Sequence, residues 1–388
     1  MKKRILIFSL AYDPFIGGAE VVIKEITNRI HAELDFDMIT LRFDSALPRF
    51  EKIGNVNVYR IGFVSKNPTP EDMLHFPLYL NKIFYPVTAF LKARALDKRN
   101  RYDAMWTMMS FMGFPALFFQ MFCRKIPYLL TLQEGDPIPV IKKRIRFVYP
   151  LFKRVFAHAS KVQAISNYLA GFAKDMGATC PVVVVPNGVG VEKFEIRDLQ
   201  KEGAIRNELK IKDGEKIIIT TSRLVPKNAV GDIIEALTYL PQNVRLLILG
   251  VGPLLGELRK KSADVGVSDR VTFCGHILQE ELPSYLHVAD VFCRPSLSEG
   301  QGVSFIETMA AGVPIVATAV GGIPDFLHNG ETGLFCEVKN PRSVAEKIQI
   351  LLDDQLLHKK IVENAKVLAK SYDWALLSEK MSDLLIKL

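Results

Sequence analysis

Short apolar runs alternate with longer stretches in which apolar residues recur at helical spacing, and the alternation continues along almost the whole chain. The apolar runs are rich in Val, Ile and Leu, which is typical of strands buried on both faces. A helix is predicted after the first strand, from about Glu20 to Leu34. The strands predicted in the first half are Arg4–Leu10, Asp37–Arg42, Val56–Ile61, Ala104–Met108, Tyr128–Leu132, Lys161–Ile165 and Val182–Val185.

The second half repeats the alternation, so each half predicts a parallel sheet covered by helices on both faces. Its predicted strands are Lys216–Thr221, Arg245–Leu249, Val271–Cys274, Asp290–Arg294, Ile315–Thr318 and Gly333–Phe335. At 388 residues the chain is longer than one hydrophobic core usually supports, which favours two domains. We place the boundary within 187–213, giving α/β domains of residues 1–190 and 191–372.

The C-terminal segment 373–388 predicts one more amphipathic helix, with Asp373 as its N-cap. This helix either completes the second domain or packs back on the first.

The apolar run at the N-terminus resembles a secretion signal, but it is short and leads into a glycine turn, which favours a first buried strand. Elsewhere Pro, Lys or Arg interrupts the apolar stretches before they reach the length of a bilayer span. The five cysteines are scattered and lack a C-x-x-C pair, and the seven histidines are dispersed. We therefore expect a cytoplasmic protein with free thiols and no metal site.

Positive charge is concentrated in the first half of the chain. Residues 1–190 contain 26 Lys and Arg against 15 Asp and Glu, whereas the remainder contains 24 against 27. A basic half indicates an anionic partner, such as a phospholipid surface, a lipid phosphate or a polyanionic glycan. No nucleic-acid recognition motif accompanies it. Residues 141–156 and 75–91 mix aromatic residues with cations, which suits either a membrane surface or a domain helix with a basic outer face.

The most informative segment follows the predicted strand that ends at Arg294. Glu299 and Glu307 lie on either side of two glycines, Gly300 and Gly302, and a helix is predicted from Ser304. Glycines before a helix leave backbone N–H groups open to an anion or to a closely approaching hydroxyl. Carboxylates accept hydrogen bonds from hydroxyls. A ligand with both phosphates and vicinal hydroxyls, a sugar nucleotide, matches this set.

Arg223 and Lys227 follow the first strand of the second half. Open α/β sheets bind ligands outside the carboxyl ends of their strands. Both cations are thus placed to neutralise a diphosphate, Arg by paired hydrogen bonds and Lys as a point charge. The alternative is a solvated loop with two exposed cations.

Three further clusters follow predicted strands. Gly17-Gly18 precedes a helix and suits an anion or a plain tight turn. Gly250-Val-Gly252 approaches the dinucleotide fingerprint G-x-G-x-x-G, but Leu255 stands where the third glycine is expected. Gln133 and Glu134 are candidates to meet a reacting sugar or acceptor, or else they belong to a capped loop.

The motifs together resemble glycosyltransferase family 4, whose members are retaining, metal-independent sugar-nucleotide transferases. The resemblance covers nearly the whole chain and is most specific in the second half. It rests on Gly17–Glu20, Ile165-Ser166, Pro186–Val189 with Phe194, Ser222–Leu224, Gly250–Pro253, Glu299–Glu307, Ala311–Pro314, Gly321–Pro324, Asn329–Gly333 and Trp374. It implies two Rossmann-like domains facing a central cleft, the GT-B architecture, with acceptor binding in the first and donor binding in the second.

The resemblance also implies roles for individual residues. Glu299 would contact hydroxyls of the donor sugar, Glu307 would bind the ribose, and Arg223 with a nearby lysine would bind the diphosphate. The backbone of Gly300, Gln301, Gly302 and Val303 would bind the sugar and the distal phosphate, with Gly17-Gly18 approaching from the other domain, and no cofactor or metal is implied.

Two positions depart from the family pattern. Asn228, followed by Ala229, stands where the family commonly has a lysine before a glycine, so Lys227 is the candidate replacement. Gln133 stands where many members have a histidine near the reaction centre, and Gln cannot act as a general acid or base.

We therefore expect transfer of a hexose from a nucleotide-diphosphate sugar to a glycan or lipid-linked acceptor, with retention of configuration, by a protein at most peripheral to a membrane. A sugar-nucleotide epimerase or a glycan phosphorylase on the same architecture is the enzymatic alternative. A non-catalytic sugar-nucleotide-binding or membrane scaffold subunit is the alternative from another class. The sequence leaves the base, the sugar, the acceptor and the oligomeric state open.

Overall fold

The protein is described by a computed structural model that covers residues 2–15, 17–30, 32–69, 72 and 75–388. The chain forms two compact units. The first comprises Met1–Glu134, Ile138–Asn187 and Trp374–Leu388, and the second comprises Gly135–Pro137 and Gly188–Asp373. The division after Asn187 falls at the start of the segment in which the sequence places the boundary, and the C-terminal helix groups with the first unit.

The first unit contains an eight-stranded sheet with the order β3-β4-β2-β1-β5-β6-β7-β8. Neighbouring strands run parallel, except that β3 pairs with β4 in the antiparallel sense. The strands are β1 Lys3–Phe8, β2 Leu34–Leu41, β3 Phe50–Ile53, β4 Val56–Ile61, β5 Ala104–Met108, β6 Tyr128–Leu132, β7 Lys161–Ala164 and β8 Val182–Val184. The helices are α1 Gly18–Arg29, α2 Leu78–Asn100, α3 Gly113–Phe122, α4 Ile138–Arg144, α5 Tyr149–Ala157 and α6 Asn167–Asp175.

The second unit contains a six-stranded, all-parallel sheet with the order β11-β10-β9-β12-β13-β14. Its strands are β9 Lys216–Thr221, β10 Val244–Leu249, β11 Val271–Gly275, β12 Val291–Arg294, β13 Ile315–Thr318 and β14 Leu334–Cys336. Its helices are α7 Val191–Glu195, α8 Leu199–Glu208, α9 Val230–Ala236, α10 Leu255–Asp264, α11 Leu282–His287, α12 Val303–Ala311, α13 Pro341–Asp353 and α14 Gln355–Ala369. The strand order reverses between β9 and β12, which is where such sheets bind ligands.

The predicted strands agree closely with the observed ones, because β-branched runs such as Ile217-Ile218-Ile219 are buried on both faces of a sheet. One strand, β3, was not predicted. It lies at the edge of its sheet and its residues are not buried, so it lacks the apolar run that identifies the others. The first helix ends at Arg29 and not near Leu34, where β2 begins.

The C-terminal helix α15, Trp374–Ile386, packs against α1 in the first unit. Lys3 Nζ donates to the carbonyl of Ile386 at 3.0 Å, and Lys161 Nζ donates to the carbonyl of Lys387 at 2.9 Å. Two cations thus satisfy carbonyls at the C-terminal end of the helix, where the helix dipole favours positive charge. Of the two placements that the sequence allowed, the helix therefore takes the one on the first domain.

Segment 141–156 spans α4, a short 3₁₀ turn and α5. Phe152 and Phe156 are buried in the core, whereas Lys143 and Lys153 are exposed. Most of this segment is therefore a domain element with a basic outer face. Phe147 and Val148 are exposed apolar exceptions, and the Phe147 side chain, 83% exposed, contacts the Arg146 guanidinium. None of the helices in the described part of the chain combines the length and apolar character that a membrane crossing requires.

Candidate functional site

The loop between β12 and α12 carries Glu299, and α12 itself carries Glu307, the other acid singled out in the sequence. Gly302 precedes α12 with a φ of +90°, in the left-handed region. A Cβ atom on Gly302 would lie 2.5 Å from the Phe305 ring and 2.8 Å from the Arg294 guanidinium. The backbone conformation and these two side chains together require glycine at this position.

Glu299 is fixed by neighbours on several sides. Its Oε2 accepts a hydrogen bond from Arg294 Nη2 at 2.7 Å, and its Oε1 accepts one from the backbone N–H of Gly300 at 3.0 Å. Gly322 donates its backbone N–H to the Glu299 carbonyl at 3.1 Å. Gly321, with a φ of +58°, approaches so closely that a Cβ atom would lie 1.9 Å from that carbonyl oxygen. Gly321 and Gly322 therefore pack against the backbone of Glu299 and close the turn around it.

Glu307 lies within α12, and its side chain is buried. Its Oε1 accepts a hydrogen bond from Gln279 Nε2 at 2.6 Å. Burial raises the pKa of the Glu307 carboxyl, while the Gln279 hydrogen bond and the charge of Arg294 oppose that rise. Arg294 thus acts electrostatically on both acids of the segment.

The loop after β9 meets the β12–α12 loop directly, since the backbone N–H of Leu297 donates to the Lys227 carbonyl at 2.7 Å. Arg223 is exposed. Lys227 Nζ donates to the carbonyl of Gly135 at 2.7 Å. Burial lowers the pKa of Lys227, and the charge of Glu299 is the largest opposing influence. The two loops that the sequence predicts at one edge of the sheet do lie together within the second unit.

Asn228 is buried and closes this loop from inside, because its Nδ2 donates to the Arg223 carbonyl at 2.7 Å. Ala229 has a φ of +49°, in the left-handed region that favours glycine. Asn228 therefore binds the backbone of its own loop. Of Lys227 and Asn228, Lys227 is the residue whose positive charge acts on Glu299.

Gly250 and Gly252 have a structural role beside β10. A Cβ atom on Gly250 would lie 1.9 Å from the Ser222 carbonyl oxygen, and one on Gly252 would lie 2.5 Å from the Leu224 carbonyl oxygen. The two glycines let the loop after β10 pack directly on the backbone that carries Arg223. Their spacing is explained by this contact.

In the first unit, the Gly17-Gly18 turn begins α1. The backbone N–H of Gly17 donates to the Glu20 carboxylate at 2.8 Å, so the acid that follows the turn already occupies this donor. Burial raises the pKa of Glu20. Space is open around Gly18, where a Cβ atom would have no neighbour within 4 Å among the described residues.

Gln133 and Glu134 follow β6 and have different partners. The Gln133 and Asn187 side-chain amides form two reciprocal hydrogen bonds of 2.8 Å. Glu134 is buried, and its Oε1 accepts the backbone N–H of Ser110 at 2.7 Å. Its Oε2 has no hydrogen-bond partner among the residues that the structure describes. Burial raises the pKa of the Glu134 carboxyl.

The structure thus brings together the loops that carry Arg223, Lys227 and Glu299, and Glu307 lies in the helix that follows, hydrogen-bonded by Gln279. Sequence reasoning missed Arg294 and Gln279. The available signal for Arg294 was its position at the end of an apolar strand. A charged residue is seldom fully buried unless it is paired, so a cation at a buried strand end indicates an acidic partner nearby. Gln279 lies in an exposed turn and gives no such signal. Within the described residues, no three or more His, Cys, Asp or Glu side chains are grouped so that they could hold a metal ion.

Two family sequence models match the chain, and together they span most of it. The model described as Glycosyltransferase Family 4 matches residues 16–193, and the one described as Glycosyl transferases group 1 matches residues 201–368. The chain belongs to glycosyltransferase family 4. The predicted family is therefore confirmed.

One relative is a GDP-mannose-dependent alpha-(1-6)-phosphatidylinositol monomannoside mannosyltransferase of Mycobacterium tuberculosis, 30% identical over 250 residues. The match covers 61% of this chain and 64% of that protein. The chain therefore spans less than two thirds of the length of this relative.

Solved structures of this fold match over the full length. Sucrose-phosphate synthase from Thermosynechococcus elongatus superposes with a TM-score of 0.84 at 21% identity, covering 100% of this chain and 99% of that one. HepE of Anabaena, in complex with UDP-glucose, gives a TM-score of 0.78 at 20% identity over 99% and 100% of the two chains. These similarities confirm the predicted GT-B class, with two parallel-sheet α/β domains.

Proposed function

We propose that the protein is a retaining glycosyltransferase that moves a hexose from a nucleotide-diphosphate sugar to a glycan or lipid-linked acceptor on the cytoplasmic side of a membrane. The observation that carries the proposal is the junction of two loops in the second unit. There the Leu297–Lys227 hydrogen bond of 2.7 Å joins the cationic loop after β9 to the loop that holds Glu299. The loop with Arg223 and Lys227, the cations proposed to bind the diphosphate, thus lies beside the loop with Glu299, the proposed acceptor of hydrogen bonds from sugar hydroxyls.

Each residue has a distinct part in the proposed donor site. Arg223, exposed at the sheet edge, and Lys227 bind the diphosphate. Glu299 accepts hydrogen bonds from sugar hydroxyls, and Glu307 accepts them from the ribose. The backbone N–H groups at the start of α12 bind the sugar and the distal phosphate. Of the four predicted backbone donors, that of Gly300 is engaged by Glu299 Oε1 at 3.0 Å, and the proposed contacts are those of Gln301, Gly302 and Val303.

The proposed reaction needs positioning and charge stabilisation more than acid–base catalysis. The bond from the anomeric carbon to the diphosphate oxygen breaks, and its electron pair stays with the diphosphate. The acceptor hydroxyl oxygen bonds to the same face of the sugar, and its proton passes to the released diphosphate. Negative charge grows on the diphosphate during this step, so Arg223 and Lys227 stabilise the transition state more than the bound substrate. A glutamine at position 133 is compatible with this chemistry.

The relatives support a nucleotide-sugar donor. The Mycobacterium tuberculosis relative is named for GDP-mannose and for a phosphatidylinositol mannoside, and HepE was solved with UDP-glucose. A GDP- or UDP-linked hexose and a lipid-linked acceptor are therefore the first candidates for this chain.

A direct test combines donor binding with product analysis. A thermal-shift panel of UDP-, GDP- and ADP-sugars identifies the base, and the binding donor is then incubated with glycan and lipid acceptors. We expect a glycoside whose anomeric configuration, determined by NMR, matches that of the donor. Free epimerised sugar nucleotide would indicate an epimerase, a sugar phosphate would indicate a phosphorylase, and donor binding without glycoside formation or donor hydrolysis would favour the non-catalytic alternative.

We also infer that the first unit contacts an anionic membrane through α2 and the end of α3. Ile83, Val87 and Leu91, spaced four residues apart, lie on one face of α2, and their side chains are 50–58% exposed. Phe122, at the end of α3, is exposed, and its ring lies 6.0 Å from that of Phe90 on α2. The two helices thus present adjoining apolar side chains.

Cations continue the same face of α2 toward its C-terminal end. Arg94 and Lys98 follow Leu91 at helical spacing and are exposed. An apolar face that continues into Lys and Arg is typical of helices lying in the interface of an anionic bilayer, where apolar groups enter and cations meet headgroups. A lipid-linked acceptor would be presented at such a surface.

Vesicle flotation tests the membrane proposal. We expect the protein to float with phosphatidylglycerol-containing vesicles at low salt, and the Ile83→Asp/Leu91→Asp variant to bind much less. Leu356→Asp/Val367→Asp, two exposed apolar positions of the second unit, is the matched control and should bind like wild type. Equal loss in both variants, or no binding by the wild type, contradicts the proposal.

A further inference from the structure

Arg294 is a buried cation whose partners come from three different elements. Nη2 donates to Glu299 Oε2 at 2.7 Å, and Nη1 donates to Ser304 Oγ at 2.7 Å and to the Thr221 carbonyl at 3.3 Å. These residues belong to the β12–α12 loop, the first turn of α12 and the end of β9. The guanidinium therefore joins the three parts of the second unit that surround the proposed donor site.

The plane of the guanidinium is also fixed. Its central carbon lies 4.2 Å from the centroid of the Phe305 ring, at a distance typical of a cation–π contact. Gly302 leaves the space on this side that Arg294 and Phe305 fill. This ring contact and the hydrogen bonds to Glu299, Ser304 and Thr221 together hold the guanidinium beside Glu299.

Burying this cation is costly. Burial lowers the pKa of Arg294, and the charges of Glu299 and Glu307 oppose that effect. A buried ion pair seldom adds stability relative to apolar side chains of similar volume, because desolvation offsets the attraction. The stability of the unit alone therefore gives little reason for an arginine at this position.

We propose that Arg294 is the positioning residue of the donor-sugar site, which it forms by fixing the carboxylate of Glu299 to accept hydroxyls of the transferred sugar. Arg294 engages one oxygen of Glu299 and the Gly300 N–H engages the other. Each carboxylate oxygen accepts more than one hydrogen bond, so both remain able to accept from a hydroxyl. This inference rests on the proposed function.

A positioning role predicts that Arg294 affects recognition of the sugar more than recognition of the nucleotide. Arg223 and Lys227 lie on another loop, and the direct hydrogen-bond partner of Glu307 is Gln279. Replacing Arg294 should therefore weaken recognition of the sugar far more than recognition of the nucleoside diphosphate. A merely structural role would weaken both alike.

The experiment compares nucleoside diphosphate with sugar nucleotide for the same base. Calorimetry gives the dissociation constants for UDP and UDP-glucose, and for GDP and GDP-mannose, using the pair that wild type binds. The affinity gained from the sugar is the ratio of the dissociation constant for the nucleoside diphosphate to that for the sugar nucleotide. For Arg294→Met we expect this ratio to fall about tenfold or more, as for loss of a charged hydrogen-bonding group. Arg294→Lys, which keeps one ionic contact to Glu299, should fall between Met and wild type.

Arg270 provides the matched control. It is also a buried arginine of the second unit, and its guanidinium donates to the backbone carbonyls of Leu237 and Pro241 at 2.7 and 3.0 Å. Arg270→Met should lower thermal stability and leave the affinity gained from the sugar unchanged. Combining Arg294→Met with Glu299→Gln should cause no further loss beyond Glu299→Gln alone, because the two residues act as one unit.

Three outcomes decide the matter. An unchanged sugar contribution in Arg294→Met, or an equal loss in Arg270→Met, overturns the positioning role while the proposed function stands. Failure of wild type to bind any nucleotide or sugar nucleotide overturns the proposed function itself. If Arg294→Met does not fold, Arg294→Gln, which keeps one donor, carries the same expectation.

Discussion

Each unit has a turn in which a glycine begins a helix after a parallel strand, and the two turns differ in their relation to the nearby acid. At Gly302 the backbone is left-handed, and the acid Glu299 pairs with the buried Arg294 as well as accepting the N–H of Gly300. At Gly17 the backbone is extended, and the acid Glu20 accepts the N–H of Gly17 itself. Two turns with the same sequence signature therefore differ in their acids, because Glu299 has a buried cation as a partner in addition to backbone, whereas Glu20 accepts a backbone N–H.

A buried acid in each unit shows a related difference. Glu307 in the second unit has both the Gln279 hydrogen bond and the charge of Arg294 acting on it. Glu134 in the first unit is buried with hydrogen-bond donors, and its Oε2 has no partner within the described residues. Burial raises the pKa of both carboxyls, and of these two only Glu307 has a buried cation opposing that rise.

The largest effects are expected at the proposed donor site, which includes the turn with the buried cation. Glu299→Ala and Arg223→Ala should each lower the transfer rate about 10²-fold or more, because each removes a charged group that the proposed function places against the donor. Glu20→Ala, the corresponding acid of the other turn, should have a much smaller effect. Initial rates at saturating acceptor, with circular dichroism to verify folding, measure all three variants. Wild-type turnover by either of the first two would refute its assigned role.

The stability of the two turns should also differ. Gly302→Ala forces a left-handed alanine against Phe305 and Arg294 and should cost about 2–4 kcal/mol of unfolding free energy. Gly18→Ala, which has open space, should change it by less than about 0.5 kcal/mol. Urea denaturation measures both. Equal losses of unfolding free energy in Gly302→Ala and Gly18→Ala would contradict the expectation that crowding around Gly302 makes its replacement more costly.

The pH dependence of stability tests the comparison of buried acids. Because the folded state raises the pKa of Glu134, it binds that proton more tightly than the unfolded chain does. The contribution of Glu134 to stability should therefore decline as pH rises above the ordinary Glu value of 4.5. Glu134→Gln, which keeps an acceptor for the Ser110 N–H, should flatten the profile of unfolding free energy against pH.

Glu346→Gln is the control for that measurement, since this exposed acid pairs with Arg342 at the surface. A profile that flattens equally in Glu346→Gln would refute the assignment to Glu134.

The smallest effect concerns another left-handed residue. Ala229 has a φ of +49°, yet unlike Gly302 it carries a Cβ atom. Ala229→Gly should relieve this strain and stabilise the protein by up to about 1 kcal/mol, because the gain is partly offset by the greater freedom of glycine in the unfolded chain. The midpoint of urea denaturation measures it, and a lower midpoint would contradict the expectation.

Much of the fold could be read from local pattern. The boundaries of β4, β5, β6, β9 and β13 agree with those predicted from apolar runs, since a strand buried on both faces requires such a run. The edge strand β3 could not be read in this way, because an exposed strand has no such requirement. The site followed the same division: Glu299, Glu307, Arg223 and Lys227 were identified by their charge and position after strands, and their partners were not.

The sequence by itself determined the two sheets, the family, and the acids and cations placed at the carboxyl ends of strands. Only the tertiary structure decided that Arg294 pairs with Glu299, that Gln279 reaches Glu307 and that Lys227 donates to Gly135. Local propensity acts over a few residues, whereas side-chain pairing depends on which strand ends become neighbours and on which groups burial leaves without water. Both are fixed only when the chain has folded.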